Sequence, residues 1–249
     1  YPLLGGKTTK RTADSCRLAG GASCDNESAE GLGSGAGEDT GKDKIQMTNI
    51  YIIGGSPCSG KSTVAEILAE KYDLYYFKVD DFLEEYTKMG ASKGYRICKK
   101  QEAMSPEEIW MREPQLQCEE ELTFYEEVFE FVMADLKKIN AKGIITEGAA
   151  YLPKLMKAKG ISSDQYLAIT PTAEFQIEHY KQREWVPYVL EGCSDKENAF
   201  SNWMNRDILF AKEVQRQCAA EQYHSIINDG NVTVEQMVEK VVACFGLGK

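Results

Sequence analysis

From Asn49 onward, short apolar runs that suit β-strands alternate with longer stretches whose apolar residues recur at helical spacing. The predicted strands are residues 49–54, 74–79, 143–148, 165–170 and 224–229. Residues 61–72 and 119–139 show the three-to-four-residue spacing of apolar positions that is typical of amphipathic helices. This alternation predicts an α/β protein with a mostly parallel sheet that is covered by helices.

Polar residues mark the starts of two further helices. Ser105 and Glu108 have the spacing of a capping box, and Thr233 and Gln236 repeat it near the end of the chain. The last predicted helix ends at Gly246, a residue type that is common after helix C-termini.

The chain divides into an N-terminal segment and a domain. Residues 1–46 are rich in glycine, serine, alanine and acidic residues, and they show no apolar periodicity. We predict a disordered tail, because such a segment buries too little surface to offset its ordering entropy. Met47 directly precedes the first strand, which suggests the hypothesis that the tail is an added leader. Residues 47–249 are predicted to form one domain, with a helical substrate insertion at about 82–142 and a lid at about 183–206.

Composition restricts the functional classes. The chain has 249 residues, of which 43% are hydrophobic, enough for one domain with a sizeable core. No apolar run approaches the roughly 20 residues that span a bilayer, and no convincing signal peptide is present, so we expect a cytoplasmic protein without a membrane partner. The net charge of −10 disfavours nucleic acid as a partner but allows a small anionic ligand.

A glycine-rich loop carries the strongest chemical signal. Residues 55–62, GSPCSGKS, match the pattern G-x-x-x-x-G-K-[ST] between a strand and a helix. The glycines allow a tight turn with N–H groups facing an anion, and the positive end of the following helix points to the same place. Lys61 can reach the β- and γ-phosphates, and the Ser62 hydroxyl can ligate Mg²⁺. The predicted nucleotide-binding residues of the loop are Gly55, Ser56, Pro57, Cys58, Ser59, Gly60, Lys61, Ser62 and Thr63.

Two aspartates, Asp80 and Asp81, follow the second strand. The carboxyl ends of parallel strands face the ligand crevice, so an aspartate there can take a proton from a substrate hydroxyl or support Mg²⁺ through water. Adjacent side chains point apart. We favour Asp80 as the base and metal-binding residue and assign Asp81 to the substrate. The alternative is that both are solvated carboxylates at a helix start.

Two further segments supply candidate binding residues. Glu147 and Gly148 end the third strand, where the carboxylate would hold Mg²⁺ through water, bind substrate or cap the next turn. Asn228 and Gly230 lie in a polar loop after the fifth strand. That loop is placed to meet an adenine edge, and a plain strand-to-helix connection is the alternative.

Arg183 and Arg206 flank a segment that contains two tryptophans. Closure of a lid can bring guanidinium groups to a γ-phosphate, so we predict that both arginines are catalytic, together with Lys61 and Asp80. The alternative for each arginine is a solvated side chain on a helix.

The chain resembles the small P-loop kinase group over about residues 49–246. The segments that carry the resemblance are GGSPCSGKST, VDDF, ITEGAAYLP, the arginine-bearing segment, MNRDILFAKEV and IINDGNVTVEQ. Members include shikimate and gluconate kinases, chloramphenicol phosphotransferase and zeta-toxin-like kinases. The resemblance implies a P-loop NTPase three-layer α/β/α fold with a five-stranded parallel sheet, and the use of ATP and Mg²⁺. It also implies transfer of the γ-phosphate to a small-molecule hydroxyl, with an aspartate base after strand two and with Glu147 and Gly148 at the acceptor. Many P-loop proteins have an aspartate where this chain has Glu147, which leaves its metal role open.

Two other functions remain as alternatives at this stage. One is a nucleoside or nucleotide kinase, and the other is an NTP-dependent regulatory ATPase that transfers phosphate to no acceptor.

Overall fold

The computed structural model describes residues 49–248, so the tail predicted at residues 1–46 lies outside the described part of the chain. The strands are β1 (Ile50–Gly55), β2 (Tyr75–Lys78), β3 (Ile144–Glu147), β4 (Tyr166–Pro171) and β5 (His224–Asn228). The helices are α1 (Lys61–Tyr72), α2 (Leu83–Lys93), α3 (Arg96–Ala103), α4 (Pro106–Trp110), α5 (Pro114–Lys138), α6 (Pro153–Ala158), α7 (Ala173–Lys181), α8 (Val186–Val189), α9 (Lys196–Glu221) and α10 (Val234–Phe245). A 3₁₀ turn, Val79–Phe82, joins β2 to α2.

All strands of the sheet run parallel, in the order β2-β3-β1-β4-β5. The first strand therefore lies at the centre, with β3 on one side and β4 on the other. The connection after β1 leads to β2 on one side of the sheet, whereas the connection after its neighbour β4 leads to β5 on the other side. This reversal opens a crevice beyond the carboxyl ends of the strands. The predicted fold class is confirmed: a five-stranded parallel sheet in an α/β domain.

Helices cover the sheet on both faces. Ile52 and Ile53 are adjacent in β1 and both are 0% exposed, because neighbouring strand residues point to opposite faces. Ile52 packs in a cluster with residues of α2, α5, α6 and α9, whereas Ile53 packs with residues of α1 and α10. The result is a three-layer α/β/α arrangement.

The two predicted insertions differ in character. Residues 82–142 form α2 to α5, and the long helix α5 packs against α9. The range 183–206 contains α8 and the first turns of α9, which begins after the N-cap Asp195. Both predicted capping boxes, at Ser105 and at Thr233, are present. Among the helices within residues 49–248, none combines the length and apolarity needed to cross a membrane.

Candidate active site

The loop between β1 and α1 has a backbone that requires glycine at two positions. Gly55 has a φ of 124° and Gly60 a φ of 91°. A Cβ on Gly55 would lie 1.9 Å from the carbonyl oxygen of Ile169, so β1 and β4 approach too closely there for a side chain. Gly60 caps α1 without a side-chain hydrogen bond to the first amides of the helix. Those N–H groups are oriented to bind an anion.

Two side chains form hydrogen bonds with the backbone of this loop, Lys61 of α1 and Asn228 of β5. Lys61 is 6% exposed, and its Nζ donates to the carbonyl oxygen of Ser56 at 2.7 Å. Asn228 Nδ2 donates to the carbonyl oxygen of Ser59 at 3.1 Å, and its Oδ1 accepts from the amide of Gly230 at 3.1 Å. The structure therefore brings Asn228, at the end of β5, into contact with the loop between β1 and α1, whereas Gly230 contacts Asn228.

Glu147 is a completely buried carboxylate at the end of β3. Its Oε1 accepts hydrogen bonds from Ser62 Oγ at 3.0 Å and from the Tyr76 hydroxyl at 3.1 Å. Its Oε2 has no hydrogen-bond partner within the described residues. Burial, and then the charge of Glu147, raises the pKa of Tyr76 well above its usual value, so the phenol stays a donor.

This arrangement fits a magnesium ion. Mg²⁺ prefers oxygen ligands and is commonly held by one or two protein groups together with phosphates and waters. The Ser62 hydroxyl and the orphaned Oε2 of Glu147 are such groups. Within residues 49–248, no three histidine, cysteine or acidic side chains cluster as a metal site of their own. The contact of Ser62 with Glu147 favours the metal role that the sequence left open for Glu147.

Asp80 and Asp81 lie on the 3₁₀ turn after β2, and both are exposed to solvent. Protein atoms nevertheless surround Asp80 densely, and this desolvation, with the negative charge of Glu147, raises its pKa to about 6. Lys61 and Lys78 oppose that shift. Asp80 is therefore close enough to the loop lysine and to Glu147 to interact with both electrostatically.

Gly148 allows the end of β3 to pack against the turn that carries the aspartates. A Cβ on Gly148 would lie 2.7 Å from the Cβ of Val79. Its amide donates to the carbonyl oxygen of Ile53 at 3.2 Å. These contacts explain why this position is glycine, and its predicted contact with substrate stays a prediction.

Arg183 lies against the loop between β1 and α1. Its exposed guanidinium donates through Nη2 to Cys58 Sγ at 3.6 Å, and its Cζ is 5.3 Å and 5.5 Å from the ring centroids of Tyr180 and Trp185. The aromatic faces hold the cation by cation–π contact. Burial raises the pKa of the Cys58 thiol, and the charge of Arg183 opposes that rise.

Arg206 lies in a different environment from Arg183. It is 4% exposed and donates to Glu121 Oε2 at 3.0 Å and to Asp207 Oδ1 at 2.7 Å. Its Cζ lies 5.2 Å from the ring centroid of Trp110. Burial raises the pKa of Asp207, while the positive charge of Arg206 lowers it. These contacts give Arg206 a packing role between α5 and α9, and its catalytic role stays a prediction.

Sequence reasoning missed Tyr76 and Lys78. Alternation along β2 places both on one face, and the register pairs Lys78 with Glu147. The alternation along β2 is visible in the sequence, but it points to these two residues only when the pairing of β2 with β3 is known.

Comparison of the sequence with protein-family models and with curated proteins gave no match. Among solved structures, the chain is similar to TT1252 from Thermus thermophilus, with 17% identity, a TM-score of 0.45, and coverage of 81% of this chain and 100% of that one. It is also similar to a "putative kinase" from Chloroflexus aurantiacus, with 15% identity, a TM-score of 0.36, and coverage of 80% and 99%. At these TM-scores neither similarity contributes to the function proposed below.

Proposed function

We propose that the protein is an ATP-dependent phosphotransferase that moves the γ-phosphate to a hydroxyl group of a small molecule. One observation carries the proposal. The carboxylate Asp80, whose pKa is raised to about 6, interacts with the phosphate-loop lysine Lys61 and with the buried Glu147. General-base catalysis is most efficient when the pKa of the base lies near the operating pH, so a carboxylate with this pKa beside the loop is suited to take the proton of an alcohol during phosphate transfer.

Different residues would bind the phosphates, hold the metal ion and take the proton. Amides at the start of α1 and the ammonium of Lys61 bind the phosphates, while Ser62 and Glu147 would hold Mg²⁺. When bound, Mg²⁺ neutralises charge on the β- and γ-phosphates. Asp80 takes the proton of the acceptor hydroxyl, and it is mostly ionised at neutral pH because its pKa is about 6. Arg183, beside Cys58, would stabilise charge on the transferring group.

A screen for ATP consumption tests this function. The purified protein is incubated with ATP and Mg²⁺ and a panel of hydroxylated metabolites, antibiotics, nucleosides and nucleotides. Mass spectrometry then identifies any phosphorylated product. We expect ATP loss that depends on one class of alcohol. A nucleoside or nucleotide product would support the nucleoside/nucleotide kinase instead. Hydrolysis without dependence on any acceptor would support a regulatory ATPase.

A further inference from the structure

Glu147 depends on two donors from different elements for its orientation. Ser62 belongs to α1 and Tyr76 to β2, and both donate to the same oxygen, Oε1. Within the described residues, no lysine, arginine or histidine forms an ion pair with this buried carboxylate. Because no cation there is in direct contact with Glu147, the hydrogen bonds from the two hydroxyls are the direct polar contacts that stabilise this buried carboxylate.

The strand register explains why the Tyr76 hydroxyl reaches the carboxylate of Glu147. Tyr76 lies beside Ile145, and Glu147 is two residues further along β3 on the same face. Two residues of strand span about 6.6 Å, a distance that a tyrosine side chain bridges along its strand. The ring of Tyr76 therefore points toward the carboxyl end of the sheet, where its hydroxyl meets Oε1.

We infer that Tyr76 is a positioning residue for the magnesium ion, an inference that rests on the proposed function. By holding Oε1 of Glu147, the phenol turns Oε2 away from its donors and leaves that oxygen for the cation or its water. The Ser62 hydroxyl can donate its proton to Glu147 and offer a lone pair to the cation at the same time. Without the phenol, Ser62 alone would have to orient the carboxylate.

The substitution Tyr76→Phe tests the inference by removing the hydroxyl and keeping the ring. Binding of a non-hydrolysable ATP analogue is measured by calorimetry, first in EDTA and then across a Mg²⁺ titration. We expect unchanged affinity in EDTA and a half-saturating Mg²⁺ concentration that is raised about 10-fold, the usual effect of losing a partner of a metal-binding residue. Thermal unfolding without metal checks that the variant folds.

Two variants complete the experiment. Tyr75→Phe is the matched control, because Tyr75 is the neighbouring residue, is 51% exposed and points to the other face of β2, so its Mg²⁺ dependence should equal that of the wild type. In a Glu147→Gln background, Tyr76→Phe should have little further effect on Mg²⁺ dependence, because both changes act through one carboxylate.

The outcomes separate this inference from the proposed function. Mg²⁺-dependent nucleotide binding that is the same in wild type and Tyr76→Phe would overturn the role of Tyr76 alone. Failure of the wild type to bind the analogue at any Mg²⁺ concentration would overturn the proposed function, and this inference with it.

Discussion

At the scale of single residues, Asp80 has a raised pKa that costs stability at neutral pH and that its proposed role as a base would explain. The ordinary pKa of an aspartate is 3.8. Desolvation by the surrounding protein atoms, and then the charge of Glu147, raise the pKa of Asp80 to about 6. The folded protein therefore holds this proton more tightly than the unfolded chain does. A raised pKa of this kind is typical of catalytic carboxylates.

The pKa of Asp80 predicts the pH profile of phosphate transfer. A general base acts only when ionised, so kcat/KM should rise about 10-fold per pH unit below pH 6 and level off above it. Asp80→Asn should reduce transfer about 100-fold and remove this inflection. Initial rates between pH 4.5 and 8, with the acceptor that the screen identifies, measure both effects. If Asp81→Asn removed the inflection and Asp80→Asn kept it, the base would be Asp81.

The same shift predicts that Asp80→Asn stabilises the fold at pH 7.5. The contribution of Asp80 to stability is favourable below its unfolded pKa of 3.8 and is lost as the pH rises toward about 6, because the folded state disfavours the charged form. Removing the charge should therefore raise the unfolding free energy at pH 7.5 but hardly change it at pH 4. Urea unfolding at both pH values gives the comparison. A loss of stability at pH 7.5 in Asp80→Asn would show instead that the native carboxylate makes favourable contacts.

At the scale of elements, the link between β1 and α1 combines a tight backbone with an open helix end. Gly55 allows β1 to approach β4, and Gly60 leaves the amides of α1 without a side-chain cap. The uncapped helix start raises the energy of the loop without a ligand, since its donors lack side-chain partners. The hydroxyls of Ser56 and Ser59 are also buried and lack partners within the described residues.

This geometry predicts that Gly55→Ala is far more costly than alanine at another glycine with positive φ. At Gly55 the new Cβ would lie 1.9 Å from a backbone oxygen, whereas at Gly160, with a φ of 72°, it would meet nothing within 4 Å. We expect Gly55→Ala to lower the unfolding free energy by about 3 kcal/mol or more, from clash and backbone strain together. Gly160→Ala should cost about 1 kcal/mol, from left-handed backbone strain alone. Chemical denaturation measures both, and equal losses would contradict the clash.

Local sequence was sufficient to predict most elements and part of the site. The run IYIIGG is apolar and β-branched, and structure places β1 at Ile50–Gly55, one residue from the predicted range of 49–54. The glycine-rich loop was predictable as a strand-to-helix connection because all its signals lie in one stretch, and its binding of phosphate stays a prediction. The hydrogen bond from Tyr76 to Glu147 was not, because it joins residues 71 positions apart through a strand register that no local pattern encodes.

The same limit explains the different positions of the two predicted arginines. Sequence spacing placed both at the ends of one lid. In the structure, Arg183 follows α7 and reaches the loop, whereas Arg206 lies inside α9 and faces Glu121 on α5. The face of α9 that contacts α5 is set by packing between residues 85 positions apart, such as Arg206 and Glu121. The sequence alone therefore could not show whether Arg206 belongs to a lid or to a buried helix face.

At the scale of the whole molecule, the site lies where two halves of the sheet meet, and α5 and α9 support it from one face. Asp207 connects the contact between α5 and α9 with the residues around Arg183. It accepts from Arg206 and from the Tyr180 hydroxyl at 3.2 Å, and Tyr180 in turn lies under the guanidinium of Arg183. A series of contacts thus connects the buried ion pairs of α5 and α9 to Arg183, which touches the loop between β1 and α1.

Arg206 and Arg183 lie at the two ends of these contacts, so substitutions of the two arginines can be compared directly. Arg206→Met leaves two buried carboxylates, Glu121 and Asp207, without the cation between them, and should lower the unfolding free energy by about 3–5 kcal/mol. Arg183→Met changes an exposed side chain and should alter stability by no more than about 0.5 kcal/mol. Its turnover should nevertheless fall about 100-fold, because a charge beside the phosphate loop is lost.

Urea unfolding and kcat, measured on both variants, separate support of the fold from catalysis. The folded fraction of Arg206→Met should keep most of its turnover per molecule, since the guanidinium of Arg206 is held by carboxylates rather than by the loop. The opposite result, in which Arg206→Met is stable but inactive and Arg183→Met is active, would show that α9 rearranges during the reaction. Arg206 would then have to leave Glu121 and Asp207 to reach the nucleotide, and the catalytic role predicted from the sequence would be correct.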